Sequence, residues 1–142
     1  MITVSGILHQ KTASIFSVTP ATTVYDAILL MSEKNIGALP VVEDGKLCGI
    51  FSERDYARKI ILQNRKSQET AVSEIMTGTV ITVKPGDTLD RCMEIMSAKK
   101  IRHLPVVEDD ILVGIISIGD VVTAVIDAQK NTIHHLQNYI AQ

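Results

Sequence analysis

Two short segments of the sequence carry side chains that could bind a phosphorylated sugar. One spans residues 49–55 and the other 114–120, and in both a serine precedes an aspartate by three residues. Each segment leads from a β-rich run into a helix, whose N-terminus presents unpaired N–H groups that favour a phosphate. An ionised aspartate one turn further on can accept hydrogen bonds from two adjacent sugar hydroxyls. The candidate pairs are Ser52 with Asp55 and Ser117 with Asp120.

The same spacing also has a purely structural interpretation. A serine followed three residues later by an acid is a capping box, in which the serine caps the helix and the acid reaches back to the backbone. One pair of side chains can serve both purposes, and the spacing taken alone favours the cap.

The two segments differ at positions that bear on an anion. Arg54 could clamp a phosphate with two hydrogen bonds, whereas its counterpart Gly119 lets the backbone approach a ligand closely. Arg102 and His103 stand where the other copy has Gly37 and an alanine, which suggests a second phosphate contact. Both arginines could instead be solvated surface charges, and His103 a partly buried histidine with its hydrogen bonds satisfied.

An internal repeat accounts for the doubled motif. Residues 18–61 return as residues 83–126 without a gap. Apolar residues at i, i+3, i+4 and i+7 predict a helix from Val24 to Met31. Asp44 and Gly45 then predict a hairpin, and a second helix follows it. A short strand is predicted before each first helix, over residues 15–18 and 80–83.

Each copy is therefore predicted as β-α-β-β-α, in a fold of the α+β class. A unit this short buries its apolar face poorly, so two copies are expected to pack about a pseudo-twofold axis and to form two similar clefts. We expect one repeat over residues 1–66, the second over 67–128 and a C-terminal helical tail over 129–142.

Composition narrows the classes of function. The chain has 142 residues, 46% of them hydrophobic, and a net charge of -2 without a long basic run, which argues against nucleic-acid binding. No apolar run reaches the roughly 20 residues of a membrane span, and no signal peptide is visible, so a cytoplasmic location is expected. Nucleotide-loop, zinc-protease and serine-nucleophile motifs are missing from the sequence, which favours a protein that is not an enzyme and has no metal site.

Two copies of LPVVED followed by glycine, an apolar residue and S-x-x-D resemble the cystathionine-β-synthase (CBS) domain. The resemblance covers about residues 4–126, and the tandem pair resembles a Bateman module, in particular small stand-alone bacterial CBS-pair proteins. It implies adenine-nucleotide binding between the repeats. By this resemblance Asp55 and Asp120 match ribose-binding aspartates, and Ser52 and Ser117 match hydroxyls on the phosphate side.

The resemblance also implies where adenine would bind. Its slot would come from the segment before each first helix, and each site would borrow that segment from the other repeat. The two clefts are expected to be unequal, because the copies differ in these segments. The candidates are Lys11, Thr12 and Ile15 in the first copy and Thr77, Val80 and Thr82 in the second.

The functional prediction is a sensor without a required cofactor that binds AMP or another adenosine nucleotide, such as ADP, ATP or NAD(H). A homodimer is expected through the apolar faces of the helices that follow the hairpins, with output through an effector protein that the sequence does not name. Two alternatives stay open: a structural interaction module with vestigial clefts, and a sensor of S-adenosylmethionine.

Overall fold

The computed structural model describes residues 1–11 and 14–141. Its regular elements follow the repeat, with one antiparallel hairpin and flanking helices in each half. Three short helical turns connect them: a wide π-turn at Ala57–Ile61 and 3₁₀ turns at Ser67–Glu69 and Val72–Glu74. The elements are α1 (Val4–Gln10), α2 (Val24–Lys34), β1 (Ala38–Glu43), β2 (Lys46–Ser52), α3 (Glu53–Tyr56), α4 (Leu89–Lys99), β3 (His103–Glu108), β4 (Ile111–Ser117) and α5 (Ile118–Ala141).

Helices α2 and α4 form where the apolar periodicity predicts them. Each begins at a threonine cap, with the hydroxyl of Thr23 or Thr88 accepting a hydrogen bond from a backbone N–H at 3.1 Å. Each ends at a residue in the left-handed conformation, Asn35 with φ 55° and Lys100 with φ 54°. The buried face of each helix then packs on the hairpin of its own half.

The two hairpins are also confirmed. β1 pairs with β2 and β3 with β4, both antiparallel and with the same irregularity in register. The first turn uses Asp44 and Gly45 at φ 52° and 80°, the sign that a tight hairpin needs. Asp109 and Asp110 adopt φ 51° and 64° in the second turn, so two aspartates accept a geometry that glycine fits better.

The predicted strands over residues 15–18 and 80–83 are wrong. Each reduces to one parallel bridge, Val18 with Val41 and Val83 with Val106. In the first half, Val18 N–H donates to the Pro40 carbonyl at 3.1 Å, and Val42 N–H donates to the Val18 carbonyl at 2.8 Å. The next bonds of a parallel ladder would need an N–H from Pro20 on one side and from Pro40 on the other. Proline has none, so the ladder stops at one residue.

The two halves exchange their leading segments. Val4 and Ile7 of α1 lie in the core of the second half, whereas Val72 and Ile75 lie in the core of the first. Backbone hydrogen bonds fasten both exchanges: Leu89 N–H donates to the Ile2 carbonyl at 2.9 Å, and the N–H of Val72 donates to the Thr22 carbonyl at 2.8 Å. Neither half completes its core without a piece of the other.

The helices that follow the hairpins differ in length between the halves. α3 continues into the π-turn and ends near Leu62, whose N–H donates to the Ala57 carbonyl at 3.2 Å. α5 instead runs unbroken from Ile118 to Ala141, so the segment predicted as a separate tail continues the last helix of the repeat. Within residues 1–11 and 14–141, none of the helices has both the length and the apolar composition of a bilayer-spanning segment.

Glycines in β2 and β4 make room for the exchanged segments, and they generate a prediction about stability. A Cβ at Gly49 would lie 2.9 Å from the backbone oxygen of Thr77, whereas the nearest atoms to a Cβ at Gly114 belong to the Leu8 side chain, at 2.7 Å. Leu8 can shift its side chain, but the Thr77 carbonyl is fixed by a backbone hydrogen bond to β2. We expect Gly49→Ala to lower the free energy of unfolding by about 1–3 kcal/mol and Gly114→Ala by less. Urea unfolding of both variants measures this, and equal losses would contradict it.

Candidate functional site

A cleft of about 560 Å³ opens where the first half meets the second. Eight of the residues singled out from the sequence line it, although they are scattered from the loop before β1 to the start of β3. The exchange of leading segments brings them together, because residues 77–80 cross over to the hairpin of the first half. The eight are Gly37, Ser52, Arg54, Asp55, Thr77, Val80, Arg102 and His103.

Asp55 is held at the start of α3 by a capping box. Its Oδ2 accepts hydrogen bonds from the Ser52 backbone N–H and hydroxyl, both at 3.1 Å. The Asp55 N–H in turn donates to the Ser52 hydroxyl at 3.2 Å. The structural interpretation of the S-x-x-D motif is therefore confirmed in this copy. The cap also fixes the carboxylate in one orientation within the wall of the cleft.

The other oxygen of Asp55 ties the two halves together. Lys59 Nζ lies 3.1 Å from Asp55 Oδ1 and also donates to the Ile75 carbonyl at 2.9 Å. The Thr77 hydroxyl donates to the same Oδ1 at 3.4 Å, a long bond. Asp55 is only 8% exposed. Its hydrogen bonds and this ion pair offset the cost of burying a charged group.

Cations dominate the cleft. Five basic side chains line it against two acidic ones, Glu53 and Asp55, so the formal charge of the lining is 5 − 2 = +3 in a chain of net charge -2. Such a concentration attracts anions, phosphates in particular. We call these five side chains the cleft cations: Arg54, Arg58, Lys59, Lys99 and Arg102.

Arg54 links the two sides of the cleft. It leaves α3 in the first half, and its Nη1 donates to the Lys100 carbonyl of the second half at 2.8 Å. That carbonyl belongs to the left-handed residue that ends α4, so one arginine also satisfies the end of a helix. Arg54 is exposed, but this hydrogen bond positions its guanidinium beside the second half.

An apolar strip runs along the cleft beside the charges. It consists of Ile50, Val80, Ile81 and Ile101. Ile50 exchanges two backbone hydrogen bonds with Thr77, at 3.0 and 2.9 Å, and this antiparallel bridge fixes one side of the strip. A planar apolar ring fits such a strip, and backbone groups at its edge can supply hydrogen bonds.

His103 packs against Gly37 across the seam between the halves. A Cβ at Gly37 would lie 3.4 Å from the His103 ring and 3.2 Å from Glu53 Oε1, so the small residue permits this close approach. Burial lowers the pKa of His103, and the nearby charges of Lys11 and Arg102 lower it further, against an opposing effect of Asp120. The lowered pKa favours the neutral imidazole, which has one donor and one acceptor nitrogen.

Three other candidates meet at the equivalent place in the second half. Asp120 Oδ2 accepts from the Ser117 N–H at 2.8 Å, and the Asp120 N–H donates to the Ser117 hydroxyl at 3.1 Å. Lys11 Nζ lies 2.8 Å from the same Oδ2. Burial alone would raise the pKa of Asp120, but the hydrogen bonds from Lys11 and Ser117 outweigh it and hold the pKa below its ordinary value.

Not every predicted residue reaches the cleft. Thr82, Ile15 and Gly119 are exposed and do not line it, whereas Thr12 lies outside the described residues. The sequence interpretation also missed cleft residues such as Lys59, Lys99 and Thr79. Only Lys59 carried a usable signal, because it stands four residues after Asp55 and must share its helix face. The described part of the chain brings no group of three His, Cys, Asp or Glu side chains together as a metal site.

Comparison with known proteins places this geometry in a family. The family model of the CBS domain matches the sequence twice, over residues 4–62 and 72–127, so the chain belongs to the CBS domain family. It is 46% identical over 123 residues to the mitochondrial CBS domain-containing protein CBSX3 of Arabidopsis thaliana, covering 83% of this chain and 60% of that protein. The chain thus spans less than two thirds of this relative. Paired CBS domains are regulatory modules, and no catalytic domain is evident over the matched residues.

Solved structures support the same assignment. A protein with CBS domains from Burkholderia ambifaria MC40-6 superposes with a TM-score of 0.86 and 50% identity, over 89% of this chain and 96% of that one. CBSX2, solved in complex with AMP, superposes with a TM-score of 0.75 and 32% identity, over 91% of this chain and 99% of its own. The predicted pair of CBS repeats in an α+β fold is therefore confirmed.

Proposed function

We propose that this chain is a non-catalytic regulatory module that binds an adenosine nucleotide, AMP foremost, in the cleft of Asp55. The observation that carries the proposal is the combination of a capped carboxylate, a net positive lining and an apolar strip within one cleft. Its volume of about 560 Å³ lies within the range of about 300–1,000 Å³ typical of small-molecule sites.

Each part of a nucleotide has a matching part of the cleft. The Asp55 carboxylate suits the two ribose hydroxyls, and the apolar strip suits adenine. Arg54 and Arg102, which both line the cleft, suit the phosphate. AMP stands first because the related CBSX2 was solved with AMP. ADP, ATP and NAD(H) share the adenosine and add phosphate charge.

The charge of the cleft weighs against S-adenosylmethionine. That ligand keeps the adenosine but replaces the phosphate with a sulfonium cation, which the five cleft cations would repel. A structural module with vestigial clefts has no use for clustered cations either, because like charges destabilise a fold in which they lie close together.

A homodimer is proposed as the route by which bound nucleotide is signalled to an effector protein. Every residue from 129 to 141 is exposed, although all of them are helical. A helix of this length is only marginally stable in water without a packing partner. Ile126, Ile133 and Ile140 recur every seven residues. Val122 lies four residues before the first of them and Leu136 between the last two, which is the spacing of a self-complementary helix seam.

Asp55→Asn tests the ribose contact. The substitution weakens the two hydrogen bonds that the ribose hydroxyls would donate to a charged acceptor. A charge-assisted hydrogen bond contributes about 1.5–3 kcal/mol, so we expect the Kd for AMP to rise about 10- to 100-fold. Isothermal titration calorimetry measures the Kd, and circular dichroism verifies folding. Asp26→Asn, an exposed acid at the start of α2, is the matched control and should bind as the original chain does. An unchanged Kd in Asp55→Asn would favour the vestigial-cleft alternative.

Arg54→Ala combined with Arg102→Ala tests the phosphate contact. The double variant should lose at least about tenfold in affinity for AMP while binding adenosine as before, because adenosine lacks the phosphate that the arginines contact. Arg91→Ala is the control, since Arg91 is exposed and reaches only Glu94, at 4.0 Å. If the double variant binds both ligands equally well, the phosphate lies elsewhere.

Ile133→Lys combined with Ile140→Lys tests the dimer. Two charges on the proposed seam should shift the chain from dimer to monomer in sedimentation velocity, because each buried lysine would lose hydration without gaining a partner. Asn131→Lys adds charge to another face of the same helix and should leave the dimer intact. A monomer in the original chain at high protein concentration would refute the proposal.

A further inference from the structure

The motif of the second cleft, the region around Ser117 and Asp120, is built like that of the first. Both aspartates occupy the third helical position after a β-strand, and both make the reciprocal serine cap. The two carboxylates therefore share the cap, although their other contacts differ: Lys59 and Thr77 reach Asp55 Oδ1, whereas Lys11 reaches Asp120 Oδ2. What distinguishes them has to come from the surrounding side chains.

The second cleft lacks most of the basic side chains that would bind a phosphate in the first. Its four positions equivalent to Arg54, Arg58, Lys59 and Arg102 carry no charge. The fifth equivalent position keeps a lysine, Lys34, but its Nζ lies over the Phe16 ring, 5.0 Å from the centroid. The four uncharged positions are Gly119, Thr123, Ala124 and Gly37.

One cation does enter the second cleft, and it belongs to the exchanged leading segment. Lys11 Nζ donates to Asp120 Oδ2 at 2.8 Å and to the Ile115 carbonyl at 2.9 Å. Ile115 is the counterpart of Ile50, whose carbonyl accepts from the Thr77 backbone N–H in the first cleft. The Lys11 ammonium thus bonds both the carbonyl at the edge of β4 and the Asp120 carboxylate.

Asp55 also has a lysine partner, but the geometry differs. Lys59 stands four residues after Asp55 on the same helical segment and also donates to the Ile75 carbonyl, and the open cleft lies beside this pair. Lys11 comes from the end of α1 and reaches across to β4 and α5, with a side chain 27% exposed against 20% for Asp120. Lys11 thus covers Asp120 Oδ2, the oxygen that also accepts from the Ser117 N–H.

We infer that Lys11 occupies the second cleft as an internal cation, so that each chain binds one nucleotide, at Asp55. The inference rests on the proposed function and adds to it which cleft is used. Lys11 is then the residue that determines the stoichiometry. Asp120 serves the fold by fastening α1 to the second half.

Calorimetric titration with AMP and with adenosine tests the inference by counting sites. The original chain should bind one AMP per chain, and Asp55→Asn should reduce this binding while Asp120→Asn leaves it unchanged. Lys11→Met keeps most of the apolar stem without the ammonium, and we expect it to show a second site. That site should bind AMP and adenosine with similar affinity, because its surroundings lack the cations of the first cleft.

Controls separate the possible failures. Lys46→Met, at an exposed hairpin position, should stay at one site, and Lys11→Gln replaces Lys11→Met if the latter does not fold. No binding of either ligand to the original chain overturns the proposed function and this inference together. Two sites in the original chain, or one site that depends on Asp120, overturns the inference alone. A single site in both folded Lys11 variants also overturns it.

A second readout does not require a nucleotide. NMR titration of the Asp120 carboxyl should give a higher pKa in Lys11→Met than in the original chain, because the ammonium that favours the ionised form is gone. The same pKa in both chains would show that Lys11 does not hold Asp120 in solution, and would overturn the inference.

Discussion

The reciprocal exchange of leading segments is the constraint on which the rest of the structure depends. Each hairpin receives an apolar segment from the other half, and Gly49 and Gly114 leave the space into which it packs. The exchange makes two incomplete cores into one cooperative unit. It also creates the cleft, because the segment that completes the first core continues as residues 77–81 along the edge of β2.

Much of the fold could be predicted because its signals are local. Threonine caps, apolar spacing and the Asp44–Gly45 turn act within a few residues, and helices and hairpins formed where they indicated. The short third strands were overestimated because a ladder depends on both partners. The limit is set jointly by Pro20 and Pro40, which are far apart in sequence.

The site was predictable in part for the same reason. Ser52 and Asp55 form a motif that can be recognised within one turn of helix, whereas the cleft cations come from two stretches of the chain that are 40 residues apart, 54–59 and 99–102. The contacts of Lys11 with Ile115 and Asp120 could not be predicted from the sequence. α1 stays helical as far as Gln10, while its counterpart is only a short turn, and the different path after each brings a side chain to Ile115 where the other copy brings backbone to Ile50.

Duplication explains how one chain can contain two clefts with the same capped serine–aspartate motif, of which the first has the cations that suit a phosphate. The cap on each helix is a requirement of the fold, so Ser117 and Asp120 keep their geometry without a ligand. Arg102 then offers a physical link from the cleft to the proposed dimer. Its carbonyl accepts from the N–H of Ile118 at 2.8 Å, which is the first residue of α5. A phosphate bound by the Arg102 side chain therefore acts on the residue whose carbonyl anchors this helix. It can shift the equilibrium between two arrangements of the dimer only to the extent that it binds one of them more tightly.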